Sequence, residues 1–171
     1  MELETERLII APLGISDASF FFELVNDPDW KRFIGDRQVN TTEDAEAYLK
    51  NRILPSYFNF GFGFHKVCLK SNNVPIGITG IIHREELDHP DIGFAFLPSG
   101  RGKGYAFEST KAIYDFAIKH LRIKPILAIA NHDNKSSHKL LNKLGLRFKK
   151  RIQLSDEDQP IHLFSDETMN Q

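Results

Sequence analysis

Arg101-Gly102-Lys103-Gly104-Tyr105-Ala106 lies between a strand-like run, Asp91 to Leu97, and a stretch of helical periodicity, Gly104 to His120. A glycine-rich turn that leaves a strand and opens a helix presents successive backbone N–H groups at the positive end of the helix dipole, where an anion is favoured. Glycine permits positive φ and a close backbone approach, and a phosphate needs both. Arg101 and Lys103 add positive charge, so a diphosphate is the ligand such a turn fits. An unoccupied loop of the same composition is the plain alternative. A Walker A loop ends in Gly-Lys-Ser/Thr, whereas Tyr105 follows Gly104. A dinucleotide fingerprint needs Gly or Ala three residues after Gly104, where Phe107 stands, and belongs to the first βα unit rather than beyond mid-chain.

Outward from this turn the chain alternates strand and helix signals. Leu8 to Pro12 reads as an opening strand, and Asp17 starts a helix with Phe20, Phe21, Leu24 and Val25 on one face. Asn26-Asp27-Pro28-Asp29 breaks that helix. Thr41 or Thr42 caps the next one, whose apolar positions include Ala45, Tyr48, Leu49 and Ile53. Phe60 to Leu69 and Pro75 to Ile82 form a hairpin around Ser71-Asn72-Asn73. A polar segment, Arg84 to Pro90, precedes the Asp91–Leu97 strand. Ile126 to Ala130 is a buried strand, Asn134 to Leu144 a helix stopped by Gly145. Leu146 to Leu154 and Ile161 to Phe164 pair around Asp156-Glu157-Asp158. The order βααβββαβαββ, without linker or repeat, predicts one α/β (α+β) domain over residues 1–171.

Composition narrows the function. A net charge of −1 argues against a nucleic-acid partner. The single cysteine, Cys68, allows no internal disulfide and suggests a reducing, cytoplasmic setting. The acidic start Met1 to Glu6 is not a secretory leader, and no apolar run approaches the ~18 residues that span a bilayer. Seven histidines show no metal-ligand spacing, so no metal is expected. His65 and His83 lie on strands, as solvated surface or as walls of a cleft.

Arg101-x-x-Gly104-x-Ala106 resembles the Gln/Arg-x-x-Gly-x-Gly/Ala signature of the GNAT N-acetyltransferases. Asn134-Lys135-Ser136-Ser137 through Lys143-Leu144-Gly145-Leu146 is similar to that family's Asn-x-x-Ser…Lys-x-Gly-Phe segment, with leucine last. Asp91-Ile92-Gly93-Phe94 resembles the Glu-Ile-Gly-Tyr strand of the RimJ/RimL-like (ribosomal-protein N-acetyltransferase) branch. Thr5-Glu6-Arg7-Leu8, Asn26-Asp27-Pro28 and Thr42-Glu43-Asp44-Ala45 resemble that branch too.

The resemblance implies the GNAT acyl-CoA N-acyltransferase fold, a mixed central sheet flanked by helices. Its fourth and fifth strands, here Asp91–Leu97 and Ile126–Ala130, splay to admit the pantetheine arm of acetyl-CoA. It implies backbone contacts from Phe94, Phe96 and Leu97 to pantetheine. The turn residues Arg101, Gly102, Lys103, Gly104, Tyr105 and Ala106 would hold the diphosphate, and Asn134 and Ser137 the thioester end. One of Lys135, Lys139 or Lys143 would meet the 3′-phosphate. Arg147-Phe148-Lys149-Lys150-Arg151 reads instead as a charged edge strand.

The implied reaction is acetyl transfer from acetyl-CoA to a primary amine, a protein N-terminus or a small molecule, by direct attack in a ternary complex. A non-catalytic acyl-CoA-binding module is the alternative, and a monomer or homodimer the expected assembly, away from membranes. Keeping an α-amine of pKa near 8 neutral at pH 7 costs about 1.4 kcal/mol, a lysine roughly 5. Asp91 and Glu108 are the candidate bases; equally, Asp91 reads as a strand-end turn residue and Glu108 as a first-turn carboxylate. Many relatives place a thiolate-protonating tyrosine where Leu141 stands, so that role passes to Ser137. Cys68, between Val67 and Leu69, reads as core. Phe20, Phe21, Trp30, Phe33, Tyr57, Phe58 and Phe60 give the front half its aromatic content.

Overall fold

A computed structural model of the chain describes residues 1–155, 157 and 159–168. Eight strands form one sheet: β1 (Leu3–Glu4), β2 (Leu8–Pro12), β3 (Phe64–Leu69), β4 (Pro75–Ile82), β5 (Asp91–Phe96), β6 (Leu127–Asn131), β7 (Arg147–Ile152) and β8 (Ile161–Ser165). Their order is β1-β2-β3-β4-β5-β6-β8-β7. All pairs are antiparallel except β5 with β6. The sheet is the mixed one expected, and β1, too short to show a periodic pattern, is an addition at its edge. At the other edge lies β7, whose arginines and lysines are the charged fringe that discourages further pairing. Of the turn before β8, Asp156 and Asp158 lie outside the described residues.

The helices are α1 (Ala18–Val25), α2 (Pro28–Phe33), α3 (Thr42–Tyr48), α4 (Leu54–Phe60), α5 (Tyr105–Phe116) and α6 (Lys135–Leu144). Asn26–Asp29 does break α1, but it also starts α2. Asp27 accepts a hydrogen bond from Asp29 N at 3.1 Å, and Pro28 occupies the first helical position, where its missing N–H costs nothing. Thr41 is the cap of α3, in a reciprocal box with Asp44. A wider, π-type turn, Leu49–Ile53, joins α3 to α4. Two apolar clusters hold the layers together. Leu8, Ile10, Ile76, Ile92 and Ala128 pack with Ile113 of α5 and Leu141 of α6, while Phe20, Phe21, Leu24, Ala45 and Leu49 pack on Ile78. Cys68 is buried, and burial pushes its thiol pKa up, as suits a core residue.

Candidate functional site

The parallel pair β5–β6 is joined at one register position, Asp91 opposite Leu127, with Leu127 N donating to Pro90 O at 3.0 Å. Beyond it the strands part, and β6 pairs along its whole length with β8 instead. Two cavities open onto this notch, of about 610 and about 550 Å³. They share Trp30, Phe33 and Ile34 from α2 and its end, Phe94 and Ala95 from β5, and Asn134 and Ser137 from the start of α6. The shared wall makes one passage of them.

The smaller cavity is lined by Phe96, Gly102, Gly104, Tyr105 and Ala106, with Lys139 and Lys143 across from them on α6. Gly102 and Gly104 take φ of 74° and 81°, the left-handed region that the phosphate-cradle reading requires. Gly104 is the N-cap of α5 and brings no capping side chain, so first-turn N–H groups are left for a ligand. Lys143 Nζ lies 4.0 Å from the centre of the Phe107 ring.

Other members of the turn do different work from that expected. Arg101 spends its guanidinium on the protein: Nε donates to Phe96 O at 3.0 Å, and the two Nη groups reach Asp27 at 2.5 Å and Asp29 at 3.0 Å. It bolts the turn to the start of α2 and also lines the smaller cavity. Lys103 does not line the cavity; its carbonyl accepts from Arg7 Nη1 at 2.9 Å. Leu97 N donates to Ile76 O and Leu97 O accepts from Gly100 N, both at 2.9 Å, so the Leu97 N–H is committed to the protein, and Leu97 lines neither cavity. Lys135 lines neither cavity.

Asn134 caps α6, accepting from Ser137 N at 3.3 Å and Ser136 Oγ at 3.1 Å, while its side lines the passage. Asp91, 1% exposed, lies on the wall of the larger cavity, its carboxylate 3.1–3.2 Å from Arg84 Nε. Burial raises its pKa above the ordinary carboxylate value, with Arg84 pulling the other way. Glu108 is elsewhere. It accepts from Thr5 Oγ1 at 2.7 Å, Arg7 N at 2.9 Å and Arg7 Nε at 2.7 Å, and lines neither cavity. Partial burial opposes its ionisation, but these donors outweigh it and hold its pKa below the usual carboxylate range. The stability it lends is therefore present above the unfolded carboxylate pKa and is lost as pH falls through the lowered value. Glu108→Ala is expected to lower the thermal midpoint at pH 7 by a few degrees, an effect that shrinks toward pH 3, while kcat stays within about twofold. A large loss of kcat would return Glu108 to the list of bases.

His65 is neither surface nor part of this cleft. It is buried, its Nδ1 faces Gly63 O at 2.9 Å, and it borders a third cavity of about 220 Å³. His83 lines the larger cavity, its ring 4.4 Å from that of Phe60. Of the aromatic residues, Phe21, Trp30, Phe33 and Phe60 line the passage, Phe20 is core and Phe58 is 91% exposed. Tyr57 is half-buried; its hydroxyl accepts from Leu13 N and donates to Phe64 O. Arg84, the one cation touching Asp91, was unmarked in a polar loop, and nothing but its two-residue distance from the end of β4 could have signalled it. Among the described residues no group of three His, Cys, Asp or Glu is placed to hold a metal ion, and no helix is long and apolar enough to cross a membrane.

Comparison with known proteins fits this geometry. Residues 7–147 match the model of the acetyltransferase (GNAT) domain. An uncharacterized N-acetyltransferase of Bacillus subtilis, YnaD, is 29% identical over 164 residues, 92% of this chain and 91% of the relative. An acetyltransferase of Agrobacterium tumefaciens superposes with a TM-score of 0.82 at 21% identity, covering 98% of this chain and 95% of that one. The ribosomal-protein-S5-alanine acetyltransferase of Vibrio fischeri superposes with a TM-score of 0.79 at 19% identity, over 96% and 95% of the two chains. At these identities the superpositions speak for the fold alone, while the family match covers most of the chain and includes both the glycine turn and the Asn134–Gly145 segment. With its sheet split over a helix N-terminus that stands open to an anion, the chain belongs to the GNAT acetyltransferases, a family that uses acetyl-CoA as co-substrate.

Proposed function

We propose that the protein acetylates a primary amine, on a protein N-terminus or a small molecule, by direct attack on acetyl-CoA in a ternary complex. The observation that carries this is the pair of cavities meeting at the β5–β6 split, with Asn134 and Ser137 on the wall of both. One arm suits the cofactor: Gly102, Gly104, Tyr105 and Ala106 at the diphosphate, Phe94 and Phe96 beside pantetheine, and Lys139 or Lys143 at the 3′-phosphate. The other arm suits the amine. The amine nitrogen forms a bond to the thioester carbon, the C–S bond breaks, and coenzyme A leaves as a thiolate. Asp91, directly or through water, is placed to take the proton the nitrogen sheds. Its raised pKa makes it a better base than an ordinary carboxylate, and Arg84 keeps it oriented.

Leu141, where many relatives carry tyrosine, is 1% exposed and packed in the core, so that position offers no phenol. Ser137 takes the place beside the thiolate, which needs only a hydrogen bond, since a thiol of pKa near 8.5 is a fair leaving group. The ribosomal-protein acetyltransferase among the superposed structures suggests a protein as one acceptor class. Calorimetry with acetyl-CoA at near-millimolar concentration, followed by coenzyme A release across an amine panel, tests the proposal. No binding, or binding without turnover of any amine, overturns it. Ser137→Ala is expected to lower kcat about tenfold, the worth of one hydrogen bond to a charged sulfur, with the thermal midpoint unchanged. An unaltered kcat removes Ser137 from the reaction.

A further inference from the structure

The larger cavity has two walls of different chemistry. Its strand side carries the Asp91–Arg84 pair and the exposed Glu85. Its helical side carries Arg37, in the loop after α2, and Arg52, on the π-type turn between α3 and α4. Glu157, which also borders the cavity, has a partner of its own. Several arginines elsewhere in the molecule are tied down. Arg7 is held by Glu108, Arg101 by Asp27 and Asp29, and Arg147 by the carbonyls of Asn142 and Leu146. Arg84 is matched by Asp91, but among the described residues Arg37 and Arg52 form no ion pair or hydrogen bond.

The turn that carries Arg52 is a second, independent pointer. In a regular α-helix three successive residues fan out over roughly 200°, so they do not share one face. Here Asn51, Arg52 and Ile53 all line the cavity, and all three lie on the π-type turn, whose extra residue alters that fan. Such turns carry a cost to helix regularity and recur where side chains are re-aimed for function. An arginine fork matches a carboxylate or phosphate with two parallel hydrogen bonds.

From this we infer that the acceptor is a small amine that also bears an oxyanion, a carboxylate or a phosphate ester, held at the helical wall by Arg37 and Arg52. The inference rests on the amine-acetylation reading above and names the substrate class for it. The two walls orient such a molecule: the strand wall sets two carboxylates, Glu85 and Asp91, against the one guanidinium of Arg84, while the helical wall carries two guanidiniums, so the anion goes to the helical wall and the amine toward the junction at Asn134 and Ser137. A polyamine meets like charge on the helical wall, and an amine with a neutral body leaves both arginines unmatched.

The test compares matched amines by coenzyme A release: phenylalanine with phenylalaninamide, and phosphoethanolamine with ethanolamine, with spermidine and a C-terminally amidated tripeptide alongside. In at least one matched pair the charged member is expected to show a kcat/KM about tenfold or more above its neutral partner, the worth of a charge-assisted hydrogen bond. Which pair shows it distinguishes carboxylate from phosphate. In the Arg37→Gln/Arg52→Gln double variant the KM for the charged amine rises about tenfold and the charged-to-neutral ratio falls toward one. Should that variant fail to fold, Arg37→Lys and Arg52→Lys keep the charge but lose the fork, and the same ratio is read. A ratio near or below one in both pairs, faster turnover of spermidine or the tripeptide amide, or a ratio unmoved by the substitutions overturns the inference. Turnover of neutral amines alone sinks this inference and spares acetylation; turnover of none, with acetyl-CoA bound, sinks both.

Discussion

Gly104→Val is expected to weaken acetyl-CoA binding at least a hundredfold while the protein stays folded. Gly104 sits at φ 81°, and a Cβ there lies 3.3 Å from Arg7 Nη2. A β-branched residue held in that conformation costs about 1–2 kcal/mol, which lowers the midpoint of a chain this long by a few degrees. The cofactor suffers more. The turn relieves its strain by rotating the N–H groups that open α5, and two charge-assisted hydrogen bonds to phosphate are worth about 3–6 kcal/mol together. At about 1.4 kcal/mol per factor of ten, that is a hundredfold to ten-thousandfold. Gly145→Ala is the control, because Gly145 has φ 100° with nothing within 4 Å of an added Cβ. It shares the strain at the far end of α6, so it lowers the midpoint and leaves the dissociation constant alone. A Gly104 variant that binds acetyl-CoA within threefold of the parent sinks the cradle reading.

Asp91→Asn carries the next largest effect, a loss of about a hundredfold in kcat/KM if the carboxylate is the base. The same substitution has a second signature. Burial raises the folded pKa of Asp91 above its unfolded value. Between those two values the native protein holds a proton that the unfolded chain has released, so stability falls as pH rises through that window. Asparagine cannot titrate and removes this slope. Denaturant unfolding from about pH 4 to pH 8 is therefore expected to show the parent losing stability relative to the variant as pH increases. In turnover the sign is opposite: kcat/KM of the parent climbs as Asp91 deprotonates, and the variant shows no such limb. A variant within threefold of the parent in kcat/KM, with or without the stability slope, makes Asp91 a structural residue.

What could be read from the residues was whatever is local. The turn before α5, the cap and stop of α6, and the Thr41 box depend on spacings of a few residues, and each lies where the spacing put it. The split between β5 and β6 followed from family likeness, not from periodicity. Two expectations changed because a partner lies far away in the chain. Arg101 looked available for phosphate because Asp27, 74 positions upstream, leaves no mark near it. Glu108 looked available for catalysis because Arg7 is 101 positions away. The break at Asn26–Asp29 lies where expected, but the helix it opens was not read, although Pro28 behind a capping Asp27 is a good helix start. Arg37 and Arg52 had no motif at all; what singles them out is that they are unpaired among the described residues and also line the larger cavity, which only the folded chain makes visible.

The single rung at Asp91–Leu127 makes the sheet two leaves rather than one plate, β1 to β5 on one side and β6, β8 and β7 on the other. Past that rung the facing strand edges carry amide and carbonyl groups with no cross-strand mate, a seam that a sheet of continuous ladders lacks. A seam of this kind is where the molecule breathes. Its amides are expected to exchange hydrogen by small local openings, far more readily than those of the β3–β4–β5 ladders, which open with the whole fold. A molecule laid along the seam acts as a ninth strand, and the leaves then move together. The fold thus carries its own occupancy gauge, since protection of the β6 amides reports whether the gap is filled.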